Sequence, residues 1–358
     1  MKEMKHTGRW AVRFLWPVGL LFALELAIWL DLLDEYWTLI MVSICINVIL
    51  AVSLNLINGF TGQFSLGHAG FMAVGGYTAA VIGLKWMPPL IAAGTIPTWK
   101  NITLRLGGLP EIYLPFAKAL LPGGVVLFCS IILGGLFAAI MGFLIGLPTL
   151  RLRGDYLAIA TLGFGEIIRL SFLNIEYLGG ATGMPNIPQY TTVFSSFVMA
   201  AVTVILIGNI IRSTHGRAML AVREDEIAAE AMGVNTTRYK VIAFTVGAFF
   251  AGVAGALYAH TYYVVNPRCF SFMKTIDVLV MVVLGGQGSM VGAIMGAISI
   301  TVLNAFLGDL PTVRMIVYAL FLVALMIFLP RGLLTVGDLF RLRLGSKEGE
   351  RLDAPHHG

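Results

Sequence analysis

Gln63, Ser65 and His68 fall within TGQFSLGHAGFMAVGG, residues 61–76, among small residues and in a chain that is 58% hydrophobic. An amide, a hydroxyl and an imidazole at these spacings can exchange hydrogen bonds with a polar solute. Polar side chains are costly in hydrocarbon and belong where water or substrate meets them, so one reading lines a polar gap with all three. The other leaves His68 in a tightly packed helix, hydrogen-bonded to a neighbour. Ser65 is also placed to accept from the free amides of the helix that follows.

The same pattern returns later. Gly62-Gln63-Phe64-Ser65 is echoed by Gly286-Gln287-Gly288-Ser289, each interrupting an apolar stretch, one in either half of the chain. Interrupted segments in corresponding positions are how inverted-repeat transporters mark a central pathway. Gln287 and Ser289 therefore join the candidate pathway residues. In LRLRGDYLAIATLGFGEIIRL, Glu166 and Arg169 stand three apart on one helix face and can neutralise each other. That pair is either an intrahelical ion pair or a lock on the translocation path. Enzyme chemistry has no foothold, because GxxxxGK[ST], HExxH and GxSxG are all absent. Cys45, Cys129 and Cys269 lack metal or redox spacing and read as packing residues. No metal, cofactor or nucleic acid is expected in this chain.

The elements that must hold these groups are membrane helices. Only 12% of the 358 residues are charged. Apolar runs near 14–30, 37–57, 66–84, 124–147, 156–174, 191–211, 241–263, 276–307 and 314–329 are each about long enough to cross a ~30 Å hydrocarbon layer as a helix. A stretch such as VVLFCSIILGGLFAAIMGFLIGL does not alternate, which excludes a β-barrel. The fold class expected is an all-α polytopic membrane protein of about eight to ten spans. Residues 1–330 form one transmembrane domain, and residues 331–358 form a polar cytoplasmic tail whose last stretch, GSKEGERLDAPHHG, has too few apolar residues to bury and is expected to be disordered. The first run follows Lys2, Lys5, Arg9 and Arg13 but lacks a cleavage site, so it reads as a retained span.

Loop charge sets the orientation. Arg212, Arg217, Arg223, Arg238 and Lys240 place the 212–240 loop in the cytoplasm, while Asp31, Asp34 and Glu35 lie outside. Nine full crossings would leave the basic tail outside, so one run must be broken or re-entrant. The choice falls on 276–307, whose middle reads LGGQGSMVG. The loop at 85–122 is expected outside despite its four basic residues. Both termini are expected in the cytoplasm.

Loop 212–240 has amphipathic helical character from Met219, Ala221, Val222, Ile227, Ala228 and Ala231, and Gly233 stops it. A single short helix over 217–233 is shaped to seat in a groove on another protein, or to lie on an anionic leaflet.

Four stretches together, GFTGQFSLGHAGFMAVGGYTAA, LRLRGDYLAIATLGFGEIIRL, GRAMLAVREDEIAAEAMGVN and VLGGQGSMVGA, resemble the LivM-type permease of bacterial branched-chain amino-acid ABC importers. The resemblance runs from about residue 35 to 332 and extends more weakly to urea-importer permeases. It implies an inner-membrane permease fold that pairs with a LivH-type permease, two cytoplasmic ATPase subunits that bind the ATP, and a periplasmic substrate-binding protein. It further implies that the loop carrying Arg217, Glu226, Ala228, Ala229 and Gly233 is the ATPase-coupling segment. Ile227 replaces the glutamate of the family's Glu-Ala-Ala signature, with Glu226 one step earlier. The rival from another class is an ion-coupled secondary transporter, with Glu25 and Glu166 as proton carriers.

Overall fold

In hydrocarbon a backbone must satisfy its own hydrogen bonds, and the apolar runs accordingly become helices. The computed structural model describes residues 34–86, 122–152, 154–307 and 320. The expected spans at 14–30 and 314–329 (Leu320 apart), most of the 85–122 loop and the tail at 331–358 lie outside the described residues.

In chain order, α1 (Glu35–Asn55) widens into a π turn at Leu56–Phe60, and an unwound segment leads to α2 (His68–Val81) with its own π turn at Ile82–Trp86. Then come α3 (Pro122–Thr149), α4 (Asp155–Asn174), α5 (Val193–Arg212), the short pair α6 (Thr214–Glu224) and α7 (Glu226–Ala231), α8 (Thr236–Thr261), α9 (Phe272–Gly285) and α10 (Met290–Phe306). Five of these stretches, Glu35–Phe60, Gly123–Thr149, Asp155–Asn174, Val193–Arg212 and Thr236–Thr261, are long and apolar enough to cross a membrane.

α8 is the axis of the bundle, with α1, α2 and α3 packed around it. Its residues Ala243, Phe244, Ala248, Ala251, Ala254 and Leu257 are fully buried. Gly75 on α2 and Gly252 on α8 permit this: a Cβ on Gly75 would stand 2.0 Å from the Gly252 carbonyl oxygen. Backbones that close gain dispersion contacts that no larger residue allows. By contrast α3 leaves Phe128, Leu136, Phe143 and Leu144 on its outer face, the composition of a surface turned to lipid.

The break expected in 276–307 is a tight turn at residues 286–289, and the two arms fold back on each other. A Cβ on Gly285 would meet the Gly292 carbonyl oxygen at 2.0 Å, and one on Gly296 would meet that of Met281 at the same distance, an antiparallel register. At 14 and 17 residues the arms are about 21 and 26 Å long, short of a full crossing. Gly286 (φ +99°) and Gly288 (φ +82°) turn the chain, and Ser289 Oγ caps α10 by accepting the Gly292 amide proton at 3.2 Å.

Polar contacts staple this hairpin to α1. Tyr36 donates to the Ala305 carbonyl (2.9 Å), Asn47 Nδ2 donates to Thr301 Oγ1 (2.9 Å), and Asn55 grips the turn itself. The echo between the two interrupted segments does not extend to architecture. The arms of the second pack on each other, whereas α1 packs on α5, α8 and α10 and α2 packs on α3, α4 and α8.

Candidate translocation and coupling sites

The first interrupted segment is buried and only partly satisfied. Gln63, Ser65 and His68 are all within 3% exposure, and with Asn58 they hold five of the seven buried side-chain polar atoms that lack a partner among the described residues. Such atoms rarely stand alone in a folded interior, so their concentration over residues 58–68 singles the segment out. Ser53 donates its hydroxyl proton to the Leu50 carbonyl at 3.0 Å, so His68 Nε2, 2.9 Å from Ser53 Oγ, is the donor there. The proton then sits on Nε2, and Nδ1 is a bare acceptor without a partner.

Ser65 does not cap the helix start. α2 begins at His68 with Gly67 as its cap, and the amides that Ser65 was expected to serve go elsewhere: Leu66 N–H donates to Thr161 Oγ1 at 3.0 Å and Ala69 N–H to Thr275 Oγ1 at 3.1 Å. Leu66 and Gly67 separate Ser65 from the first turn, and its own amide donates to Asn58 Oδ1 at 3.2 Å. The cap reading holds for the echo residue Ser289 instead.

Glu166 and Arg169 form the intrahelical pair, Nε to Oε2 at 2.7 Å, on a half-exposed face of α4. Glu166 also lines a small cavity with Gly67, Gly70, Phe270 and Thr275, where α2, α4 and α9 meet. Gln287 is exposed whereas Gln63 is buried. The two glutamines are thus not equivalent, although the backbones that carry them converge.

That convergence involves residues the sequence reading did not select. Asn55 Oδ1 accepts the Gly288 amide proton at 2.9 Å while its Nδ2 donates to the Ser289 carbonyl at 3.0 Å. Arg223 Nη1 donates to the Gly59 carbonyl at 2.8 Å. Asn47, near the middle of the 26-residue Glu35–Phe60 span, accepts from Lys274 Nζ at 3.1 Å, and Asp277 one turn along α9 interacts electrostatically with that lysine. Asn47, Asn55 and Asn58 were open to the same intramembrane-polar argument that selected Gln63. Lys274 precedes the 276–307 run and so lay outside the spans read from the sequence.

The loop at 212–240 is two helices, not the one expected over 217–233. Asp225 leaves the helical region (φ −156°, ψ 111°) and accepts the amides of Ile227 and Ala228 at 2.9 and 3.1 Å, which ends α6 and caps α7. The apolar residues divide accordingly. Met219 and Val222 of α6 are buried, as is Ala229 of α7, whereas Ile227 (71%), Met232 (84%) and Ala228 are exposed. Arg217 is exposed, and Glu226 is tied to Lys240 at 2.6 Å. Gly233 (φ +84°) closes α7: its amide donates to the Glu230 carbonyl and that of Val234 to Ala229, the pair of bonds that defines a Schellman turn.

α8 is 26 residues long, about 39 Å, so its two ends are far apart. At one lie α6 and α7. At the other, loop 175–192 joins loop 262–271 through Met184 and Val265, paired by two backbone bonds of 2.9 and 3.1 Å.

Residues 36–330 match the family described as branched-chain amino acid transport system / permease component. The high-affinity branched-chain amino acid transport permease LivM of Salmonella typhimurium is 33% identical over 342 residues, covering 86% of this chain and 72% of its own. The probable LivM of Methanocaldococcus jannaschii is 25% identical over 279 residues, covering 72% and 77%. LivH of Salmonella typhimurium shares 40% identity over a shorter stretch of 93 residues, 26% of this chain and 30% of LivH. No solved structure matches.

Proposed function

Because the chain belongs to the branched-chain amino acid transport permease family, we propose that it is one half of an ATP-driven importer for aliphatic amino acids in a bacterial inner membrane. It is a multi-pass membrane protein of permease type. On this reading it supplies half of the translocation path. A LivH-type permease supplies the rest, two cytoplasmic ATPase subunits bind the ATP, and a periplasmic binding protein delivers the substrate.

One observation carries the external motor: the exposed apolar side chains of Ile227 and Ala228 on α7 and of Met232 just after it, at the end of the bundle remote from the 184–265 pairing. Large apolar side chains that exposed on a polar loop are those a partner covers. The partial likeness to LivH supports a second permease of related build. For the solute path, the support is the set of unpartnered polar atoms on Asn58, Gln63, Ser65 and His68. A zwitterion passing there would meet donors and acceptors without displacing existing bonds. Glu166, the acidic member of the pair with Arg169, borders the same region beside Gly67 and Gly70.

Vesicles that contain all the subunits should take up labelled leucine only when ATP is present on the ATPase side. Uptake should persist after an ionophore collapses the proton gradient. Uptake that follows the proton gradient and ignores ATP would instead favour the ion-coupled reading.

A further inference from the structure

Arg223 projects from the end of α6 into the cleft where the two interrupted segments meet. Its Nη1 donates to the Gly59 carbonyl at 2.8 Å, within the π turn that ends the α1 span. A Cβ added to Gly62 would lie 2.8 Å from Arg223 Cγ, and one added to Gly288 would lie 2.7 Å from Arg223 Nη1. Both glycines have positive φ, +69° and +82°. The bare backbones at Gly62 and Gly288 thus form the walls of the slot that the arginine fills. A Cβ on Gly59 would in turn meet the Gly288 nitrogen at 2.3 Å, so the two breaks touch each other directly. Glu224 Oε1 accepts from Nε at 3.1 Å and from Nη2 at 2.6 Å, which fixes the guanidinium plane. Asn55 completes the assembly by bonding both Gly288 and Ser289.

We infer that Arg223 is the positioning residue that couples the α6–α7 segment to both interrupted membrane segments, so that displacement of this loop moves the Gly59–Gln63 and Gly286–Ser289 turns as one body. The inference rests on the reading of α7 as the ATPase-facing surface. A rigid fork with several donors can hold a carbonyl and a carboxylate at once, and the single ammonium of lysine cannot reproduce that arrangement. The turns it joins are short and glycine-rich, the kind of backbone that absorbs a change of φ and ψ while the helices on either side move intact. Arg223 therefore transmits motion without contacting solute or ATP.

The test is made on the fully assembled transporter in liposomes, with Arg223→Ala and Arg223→Lys compared with wild type for ATPase association, ATP hydrolysis and leucine moved per ATP. Both variants should bind the ATPases and hydrolyse ATP. The transport ratio should drop roughly tenfold for Arg223→Ala, within the span usual for coupled sites, and less for Arg223→Lys. If Arg223→Ala fails to assemble, Arg223→Lys carries the test, because its stem still fills the slot between Gly62 and Gly288. An unchanged ratio in the variants that assemble overturns the inference and leaves the parent reading intact. Transport lost only in proportion to ATPase association also overturns it, since Arg223 would then be a docking residue. Wild-type transport without any ATPase would overturn both.

Discussion

The Asn55 side chain holds the turn of the α9–α10 hairpin with two bonds, accepting from Gly288 N–H at 2.9 Å and donating to the Ser289 carbonyl at 3.0 Å. It stands in for the secondary structure that residues 286–289 give up. Asn55→Ala strips a partner from a part-buried amide and a carbonyl together, at a cost of about 2 kcal/mol. The purified chain should unfold at lower temperature, and proteolysis should open first at the 286–289 turn. Wild-type unfolding in Asn55→Ala would contradict the clamp.

Glycine positions in the bundle divide sharply. Gly252→Val places a branched side chain against Gly134 and Ala138, where even a Cβ would stand 2.6 Å from the Gly134 carbonyl oxygen. Helix separation must increase, and expression of folded protein should collapse. In contrast, Gly163→Ala on α4 meets nothing within 4 Å and should be neutral or stabilise the isolated chain by up to about 1 kcal/mol. Equal effects in thermal unfolding would refute this division.

How much of this was legible in the sequence depends on what each residue depends on. The apolar runs and the glycine break at 286–289 are local properties, and α3, α4, α5, α8 and the hairpin follow from them closely. The relation of Asn55 to Gly288 and of Arg223 to Gly59 joins residues 233 and 164 positions apart. No local pattern encodes such contacts. Arg223 sat in a loop where basic residues already had an explanation as orientation signals, and that explanation hid its position. The division of α6 from α7 at Asp225 was legible in principle, since Asp-Glu-Ile-Ala-Ala is a helix-start pattern. The amphipathic run across it obscured the cap.

Ile227→Glu and Met232→Glu alter side chains that are 71% and 84% exposed. They should leave the unfolding temperature of the chain unchanged. Each should weaken ATPase association in a pull-down by roughly thirtyfold, the effect of removing an interface residue worth about 2 kcal/mol. Gly233→Asn should be tolerated, because asparagine accepts the left-handed conformation at φ +84°, whereas Gly233→Val should fray α7 and act like the glutamate variants. Full association of Ile227→Glu, Met232→Glu and Gly233→Val would remove α7 as the docking surface.

Lys274 on α9 bonds Asn47 on α1 at 3.1 Å and interacts with Asp277, both charged side chains being part-buried. Lys274→Met removes the cation from both and should destabilise the chain by about 2 kcal/mol, since an acidic group then loses its opposite charge in a low-dielectric setting. Lys274→Met combined with Asp277→Asn should recover part of that loss. Additive losses in the double variant would show that the two groups are not coupled.

The central claim is that this chain is a conduit without a motor of its own. Purified alone into liposomes and given an inward proton gradient, a sodium gradient or external ATP, it should accumulate no labelled leucine above the outside concentration. Accumulation against a gradient by the lone chain, under any of these conditions, would contradict the account.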